Sequence, residues 1–212
     1  MPLPNRVDPF GNLFADAARG TLFGNRGGRF HRDDRTLGAR RWASRQWICC
    51  VLEFKNRQRD VWGRYYTELF FLDEVTALSA GHRPCFECRR KEAERFAECW
   101  RQAFKLKARP RAPEMDAVLH GERLDDRAKR RHRRPIGDLP DGAMIARGEG
   151  AFALRGGGLL RWTPAGYSGR EARPRGITVD VLTPPTMLAA LRHGYAPRWH
   201  ASALPISKPG RP

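Results

Sequence analysis

The two cysteines at positions 85 and 88 constrain this chain more than any other feature of its sequence. A Cys-x-x-Cys pair can place both sulfur atoms on one tetrahedral metal ion, and Zn²⁺ is the usual occupant in a reducing compartment. Cys85 and Cys88 supply two of the four ligands of a structural zinc site, so the fold has to bring the others from distant positions. The pair therefore predicts a metal-centred module, with Zn as the expected cofactor.

The third ligand is expected from two adjacent cysteines upstream. Cys49 and Cys50 lie in an apolar run over residues 47–54, whose β-branched and aromatic residues predict a strand. Side chains alternate between the two faces of a strand, so only one of the two cysteines easily reaches the metal. We expect Cys50, which shares its face with Ile48 and Leu52, and Cys49 is the alternate.

The fourth ligand has two histidine candidates. His31 is the first choice, because it ends a hairpin predicted over residues 22–31 that precedes the strand of the third ligand. His82 lies in the turn just before the Cys-x-x-Cys pair and is the alternate. Cys99 falls within the following helix, and we interpret it as a small buried hydrophobic residue.

The elements around the Cys-x-x-Cys pair have clear local signals. A strand that ends at Phe71 is expected to run antiparallel to the strand over residues 47–54. Asp73 is a typical N-cap residue and Gly81 a typical C-terminal glycine, which together predict a short helix. Pro84 fits the first turn of a long amphipathic helix.

This segment resembles the second half of the Ada-type metal-binding domain, which has an aromatic strand, a short alanine-rich helix and a Gly-x-Arg-Pro-Cys-x-x-Cys motif. The resemblance implies metal binding and a repair-related or regulatory role on DNA. The adjacent Cys49 and Cys50 are the nearest equivalent of the upstream Cys-x-x-x-Cys of the family. The matching motif residues are Gly81, Arg83, Pro84, Cys85 and Cys88.

The net charge of +17, from 40 Lys and Arg against 23 Asp and Glu, points to a polyanionic partner. Such an excess of one sign opposes compaction unless an anion relieves it, and Arg matches phosphates and guanine edges. We therefore predict a zinc-stabilised nucleic-acid-binding protein, with DNA favoured over RNA. The residues expected to contact nucleic acid are Arg89, Arg90, Arg95, Arg101, Lys129, Arg130, Arg131, Arg133, Arg134, Trp162 and Tyr167.

The chain is expected to be an α+β protein with two modules. Residues 1–107 form a zinc-knuckle β-hairpin and helix module, and a basic linker with prolines follows it. Residues 114–201 form a small antiparallel β-rich module with a terminal helix, because short apolar runs alternate there with Gly and Pro. Residues 202–212 are expected to be a disordered tail.

Two alternative functions compete with binding of DNA alone. One is an enzyme that acts on nucleic acid, either a nuclease or a base-excising enzyme, with its active site in the C-terminal half. Asp116, His120 and Asp180 are the candidate catalytic residues, since acids and a histidine serve general-base or metal-dependent chemistry. The other is an RNA- or ribosome-associated protein. No motif decides whether the chain is an enzyme.

The sequence predicts a cytoplasmic protein without membrane contact. Its five cysteines, an odd number, argue against a disulfide framework. No apolar stretch approaches the ~20 residues that span a bilayer. The first residues lack the apolar core of a signal peptide.

Overall fold

The computed structural model describes residues 2–58 and 60–203, and it confirms the mixed α+β class. The first half of the chain combines short strands with three helices. In chain order these are β1 (Arg6–Val7), β2 (Leu13–Phe14), β3 (Leu22–Arg26), β4 (Trp47–Val51), β5 (Leu69–Phe71), α1 (Glu74–Ser79), β6 (Arg83–Pro84), α2 (Arg90–Ala103) and α3 (Ala112–Arg123).

The strands of this half form one mixed sheet in the order β2-β1-β5-β3-β4-β6. β3 is antiparallel to both β4 and β5, so it pairs with these strands rather than with residues 29–31 as the sequence predicts. β4 and β5 likewise pair with β3 rather than with each other. Gly24 permits this close packing, because a Cβ there would lie 2.0 Å from the Ile48 carbonyl oxygen and 2.9 Å from the Phe71 ring.

Helix α1 begins and ends where the sequence predicts. Asp73 caps its N-terminus by accepting a hydrogen bond from the Thr76 N–H at 2.9 Å. Gly81 follows the helix with a φ of +89°, in the left-handed region. Pro84 does not open the next helix as expected. It lies in β6, which runs parallel to β4, and α2 begins only at Arg90.

The second half of the chain is rich in strands, as the sequence predicts. In chain order its elements are β7 (Leu124–Asp125), β8 (Ala128–Lys129), β9 (His132–Pro135), β10 (Met144–Arg147), β11 (Gly150–Arg155), β12 (Gly158–Thr163), β13 (Gly166–Ala172), β14 (Thr178–Val181) and α4 (Pro185–Arg192). An antiparallel sheet has the order β13-β12-β11-β10-β14-β9, and β7 pairs with β8 as a short ribbon. The basic run over residues 127–134 is therefore partly built into strands.

Buried side chains from both halves of the chain share hydrophobic cores. Helices α2, α3 and α4 pack together, and the residues at this contact include Phe96, Trp100, Met115, Met187 and Leu191. Helix α1 and the antiparallel sheet share a second core, which joins Val75 to Met144 and Leu160. The two predicted modules are thus packed against each other through apolar contacts.

Polar contacts at the start of α1 also join the two halves. Asp73 Oδ2 accepts a hydrogen bond from the Tyr167 hydroxyl at 2.9 Å. Glu74 Oε2 accepts one from the Arg198 N–H at 2.9 Å, and Oε1 accepts one from the Tyr195 hydroxyl. Both carboxylates are buried, so their hydrogen bonds fix how the C-terminal segment lies against α1.

Most of the tail predicted over residues 202–212 lies outside the described residues. Its first two residues end a short 3-10 helix, Ala201–Ala203, and residues 204–212 are not described. Across residues 2–58 and 60–203, no helix has both the length and the apolar character needed to cross a membrane.

Candidate metal centre

Cys50, Cys85 and Cys88 form a cluster whose sulfur atoms lie within 4.8 Å of one another. β4 carries Cys50, and β6 runs beside it so that the Cys85 N–H donates to the Cys49 carbonyl at 3.0 Å. The chain then turns through residues 86–89, which brings Cys88 back towards Cys85. The cluster can hold a metal ion, and it contains the three cysteines that the sequence predicts as ligands.

The thiols of the cluster interact directly with one another. Hydrogen bonds from Cys50 and Cys88 lower the pKa of Cys85 far below its usual range, and the Glu87 N–H donates to the Cys85 sulfur at 3.4 Å. The same interaction with Cys85 raises the pKa of Cys50. The thiolate is the form that binds a metal ion, so these hydrogen bonds favour the ligating form of Cys85.

Cys49 occupies the opposite face of β4, as strand alternation predicts. It is fully buried, and Arg89 Nη1 lies 3.6 Å from its sulfur. Burial raises the pKa of Cys49. The Arg89 guanidinium is also buried, and its Nη2 lies 2.7 Å from Glu74 Oε2. This corrects the expectation that Arg89 contacts nucleic acid, because its charge is enclosed and already paired.

Neither histidine candidate joins the cysteine cluster within the described part of the chain. His31 is buried, with Nδ1 at 2.8 Å from Thr67 Oγ1 and its ring stacked on Trp62 at a centroid distance of 5.0 Å. His82 is fully buried, and its ring lies 4.9 Å from the Trp47 ring. Both assignments as the fourth ligand are corrected, because packing in the protein core takes up these two rings.

The cysteine cluster forms part of the wall of a cavity of about 870 Å³. Tyr65 and Tyr66 line the same cavity and remain 72% and 49% exposed. The Arg64 guanidinium lies 5.8 Å from the centre of the Tyr65 ring. Arg57 pairs with Glu87 at 2.5 Å on another part of the wall. The cavity therefore combines sulfur ligands with exposed aromatic and cationic groups.

Sequence reasoning missed these aromatic and cationic side chains, which lie between β4 and β5. The sequence favours a strand within residues 61–71, but regular pairing begins only at Leu69. The available signal is the adjacent pair Tyr65 and Tyr66 within a polar segment that also contains Arg57 and Arg64. Exposed aromatics next to arginines are typical of surfaces that bind single-stranded nucleic acid.

Trp162 and Tyr167, which the sequence predicts to contact nucleic acid, are held by internal contacts. Trp162 Nε1 donates to Thr76 Oγ1 at 3.0 Å, and its ring meets Phe14 edge-on at 6.4 Å. Tyr167 is buried, and burial together with the nearby Asp73 carboxylate raises its pKa well above its ordinary value. Both residues hold the antiparallel sheet against α1.

The basic candidates on α2 have partners along the same helix or its neighbour. Arg90 is exposed and lies 3.0 Å from Glu94, while Arg101 lies 2.8 Å from Glu98. Arg95 reaches the Gly194 carbonyl at 3.4 Å. The exposed Arg90–Glu94 pair is expected to contribute little to stability.

A second set of basic candidates lies in β8, in β9 and between these two strands. Arg131 and Arg133 both lie near Asp180, at 3.8 and 3.7 Å, and Arg130 lies 3.3 Å from Asp125. The remaining members of the set are Arg134, which is exposed, and Lys129, which lines a second cavity.

The three candidate catalytic residues are bound to different arginines. Arg83 donates to both carboxylate oxygens of the buried Asp116, at 2.8 and 2.7 Å. His120 Nδ1 lies 3.0 Å from Arg123 Nη2. Asp180 lies near both Arg131 and Arg133, at 3.8 and 3.7 Å. Each of the three polar side chains therefore has a separate arginine partner.

No protein-family model, no curated protein and no solved structure matches this chain. The class of site is therefore defined by its geometry alone. It is a three-cysteine cluster, able to hold a metal ion, at the wall of an aromatic and arginine-containing cavity.

Proposed function

We propose that this chain is a zinc-dependent nucleic-acid-binding protein whose cavity receives an unpaired base beside the metal centre. One observation carries the proposal: the exposed rings of Tyr65 and Tyr66 share a cavity wall with the three-cysteine cluster. Bases of every type stack on exposed aromatic rings, and each stacked base contributes about 1–3 kcal/mol.

Zinc is the metal that this set of donors favours. Three thiolates are soft ligands, which select Zn²⁺ over Mg²⁺ and Ca²⁺. No fourth Cys, His, Asp or Glu joins the cluster in residues 2–58 and 60–203, and all three cysteines are among the residues that line the cavity. Structural zinc sites are closed by four protein ligands, whereas an accessible centre keeps one position for water or a ligand. We therefore assign an accessible centre instead of the four-ligand site that the sequence predicts.

The charge of the chain supports nucleic acid as the partner. The excess of basic residues gives a net charge of +17, and Arg57 and Arg64 supply cations beside the two tyrosines. Phosphate contacts from such residues provide affinity without reading sequence. DNA is the proposed target, in a reducing compartment such as the cytoplasm, where free thiols persist.

The resemblance to Ada-type domains agrees with this proposal. The resembling segment ends in Cys85 and Cys88, which contribute two of the three cluster sulfurs, and β4 adds Cys50. We propose that the segment has the role of its family counterparts in metal binding, and that the protein serves DNA repair or regulation.

Substitution of the exposed tyrosines tests the proposed cavity. Tyr65→Ala and Tyr66→Ala should each weaken binding of a single-stranded DNA oligonucleotide by about 1–3 kcal/mol, because each removes a stacking surface. Phe104→Ala removes a ring that is 48% exposed outside the cavity, so this matched control should bind like wild type. Fluorescence anisotropy at several salt concentrations measures both affinity and its salt dependence.

Three outcomes of this experiment would change the proposal. Equal binding by the tyrosine variants and Phe104→Ala would remove the cavity as the base-binding site. Absence of salt-dependent binding to both DNA and RNA would remove nucleic acid as the partner. Tighter binding of RNA than of DNA at matched salt would favour the RNA- or ribosome-associated alternative.

An enzyme that acts on nucleic acid is the second candidate, favoured by the accessible three-sulfur centre. Catalytic zinc sites characteristically have three protein ligands and one open position. Glu68 lines the same cavity, is buried, and accepts a hydrogen bond from the Trp62 N–H at 2.8 Å. A cleaved strand or a released base after prolonged incubation, lost in Glu68→Gln, would favour the enzyme. Oligonucleotides that remain intact would favour binding alone.

A further inference from the structure

A second cavity, of about 410 Å³, lies against the Trp47 face of β4 and has a strongly basic wall. The side chains that line it include aromatic rings and five cations, but no Asp or Glu among the described residues. The lining cations are Arg26, Arg41, Arg123, Arg127 and Lys129.

Two of these cations are buried and have no carboxylate among their hydrogen-bond partners in the described chain. Arg26 and Arg123 are 2% and 0% exposed, and their guanidinium carbons lie 3.9 and 4.0 Å from the centre of the Trp47 ring. Arg26 donates to the Gly11 carbonyl at 2.8 Å, and Arg123 donates to the Gly81 carbonyl at 2.9 Å. Within residues 2–58 and 60–203, the buried Arg123 Nε has no hydrogen-bond partner.

Lys129 brings a third positive group to the same wall. Its Nζ donates to the Ser79 carbonyl, and burial together with Arg123 and Arg26 lowers its pKa to about 7. Asp8 acts on Arg26 and Lys129 from a distance, but its carboxylate already accepts two hydrogen bonds from Asn12, at 2.8 and 2.9 Å.

This arrangement is unfavourable in the free protein. A buried charge costs free energy unless an opposite charge compensates it, and like charges in one site add repulsion. Burial is also the main cause that lowers the pKa of both Arg26 and Arg123 to about 9. A bound anion would compensate the three groups together, which a neutral ligand cannot do.

We propose that this second cavity is a binding site for a phosphate group. Guanidinium forks and a lysine ammonium match phosphate oxygens in geometry and charge. Trp42 and Phe10 also line the cavity, so there is an aromatic surface for the nucleoside to which a phosphate is attached. The proposal requires neither the metal nor the three-cysteine cluster. The phosphate has two possible sources, a strand end of nucleic acid or a small molecule such as a mononucleotide.

Isothermal titration calorimetry on the full chain tests this site. The titrants are inorganic phosphate, a nucleoside 5′-monophosphate, and one oligonucleotide with either a 5′-phosphate or a 5′-hydroxyl. Lys129→Met should weaken binding of the phosphate-bearing titrants about tenfold or more, because it removes a charged contact. Lys91→Met removes the same charge from an exposed residue of α2 outside the cavity lining, so it should retain wild-type affinity.

A second variant tests the site in case Lys129→Met does not fold. Arg41 lines the cavity but is exposed, so Arg41→Ala should fold normally and still weaken binding several-fold. Preference for the 5′-phosphate over the 5′-hydroxyl oligonucleotide would support the site and identify a strand end. Equal binding of the two oligonucleotides, with saturable binding of the mononucleotide, would support it for a small molecule. Failure of every phosphate-bearing titrant to bind, or equal losses in Lys91→Met and Lys129→Met, would overturn the proposal.

Discussion

Four buried arginines show that this chain uses one residue type in two different ways. Arg83 and Arg89 each pair with a buried carboxylate, and Arg83 contacts Asp116 through two hydrogen bonds. Arg26 and Arg123 are as deeply buried but bond mainly to backbone carbonyls. Because only a paired charge recovers its desolvation cost, removing a partner from the first kind should be damaging.

Loss of the Asp116 carboxylate should strongly destabilise the protein. Asp116→Ala leaves Arg83 buried without its counter-charge, which is expected to lower the free energy of unfolding by about 3–5 kcal/mol. The control Glu171→Ala breaks the exposed ion pair with Arg147 and should cost at most about 1 kcal/mol. Urea denaturation of both variants measures the difference. Similar decreases in the free energy of unfolding of the two variants would show that the buried Arg83–Asp116 pair stabilises the protein no more than an exposed pair does.

The lowered pKa of Lys129 predicts how stability changes with pH. That pKa is about 7 in the folded protein and ordinarily 10.5, so between pH 7 and pH 10.5 the unfolded chain binds more protons. The free energy of unfolding attributable to Lys129 therefore rises with pH across this window. Burial is the largest cause of the lowered pKa, Arg123 and Arg26 lower it further, and Asp8 opposes them; the neighbouring His82 is also buried.

Lys129→Met should remove this pH-dependent contribution. In phosphate-free buffer its stability relative to wild type should be greatest near pH 7 and should decline towards pH 10.5. Thermal unfolding of both proteins at several pH values measures the trend. A stability difference that does not change over that range would contradict the lowered pKa.

At the scale of elements, the sequence predicts those features that depend only on residues close together in the chain. Asp73 and Gly81 mark the ends of α1, and strand alternation separates Cys49 from Cys50. The hairpin predicted over residues 22–31 is only partly present: Gly27 has a φ of +78°, typical of a turn, but the chain continues into a loop instead of returning along β3. The partners of β3 come from distant parts of the chain, and no local pattern encodes that choice.

The same limit applies to the site. Cysteine spacing indicates the metal ligands because the Cys-x-x-Cys pair and strand alternation are local features. Burial of His31, His82 and Arg89 depends on tertiary packing, so their residue types alone suggest the wrong roles. The exposed Tyr65 and Tyr66 lie in a segment without distinctive periodicity. Only the folded structure shows that they line the same cavity as the three cysteines.

Gly81 follows the end of α1 and also packs against the Arg123 side chain. In Gly81→Ala, the new Cβ would lie 2.6 Å from Arg123 Cδ at a φ of +89°, which should cost about 1–3 kcal/mol. Gly121→Ala is the matched control, because a Cβ added to this α3 glycine would have no neighbouring atom within 4 Å among the described residues. It should stabilise the protein by up to about 1 kcal/mol. Denaturant midpoints compare the two, and equal midpoints would contradict the packing described for Gly81.

At the scale of the whole molecule, β4 separates two chemically different cavities. Cys50 and Ile48 face the cavity with sulfur and aromatic groups, while Trp47 faces the basic cavity. Cys49 holds this strand in a buried core that also contains Leu69 and Phe71. One strand thus positions a cluster able to hold a metal ion on one side and a proposed phosphate site on the other. Zinc binding by the cluster is the central claim.

Elemental analysis of metal per chain tests that claim most directly. Wild-type protein should contain about one zinc ion per chain, while Cys50→Ser and Cys85→Ser should contain none, because three thiolates form the centre. Cys99→Ser is the control, since Cys99 is buried outside the cluster, donates to the His193 carbonyl, and can be replaced by another donor. Zinc in wild type and Cys99→Ser but in neither cluster variant is the predicted result. Wild-type protein without zinc, or Cys50→Ser that retains it, would contradict the account.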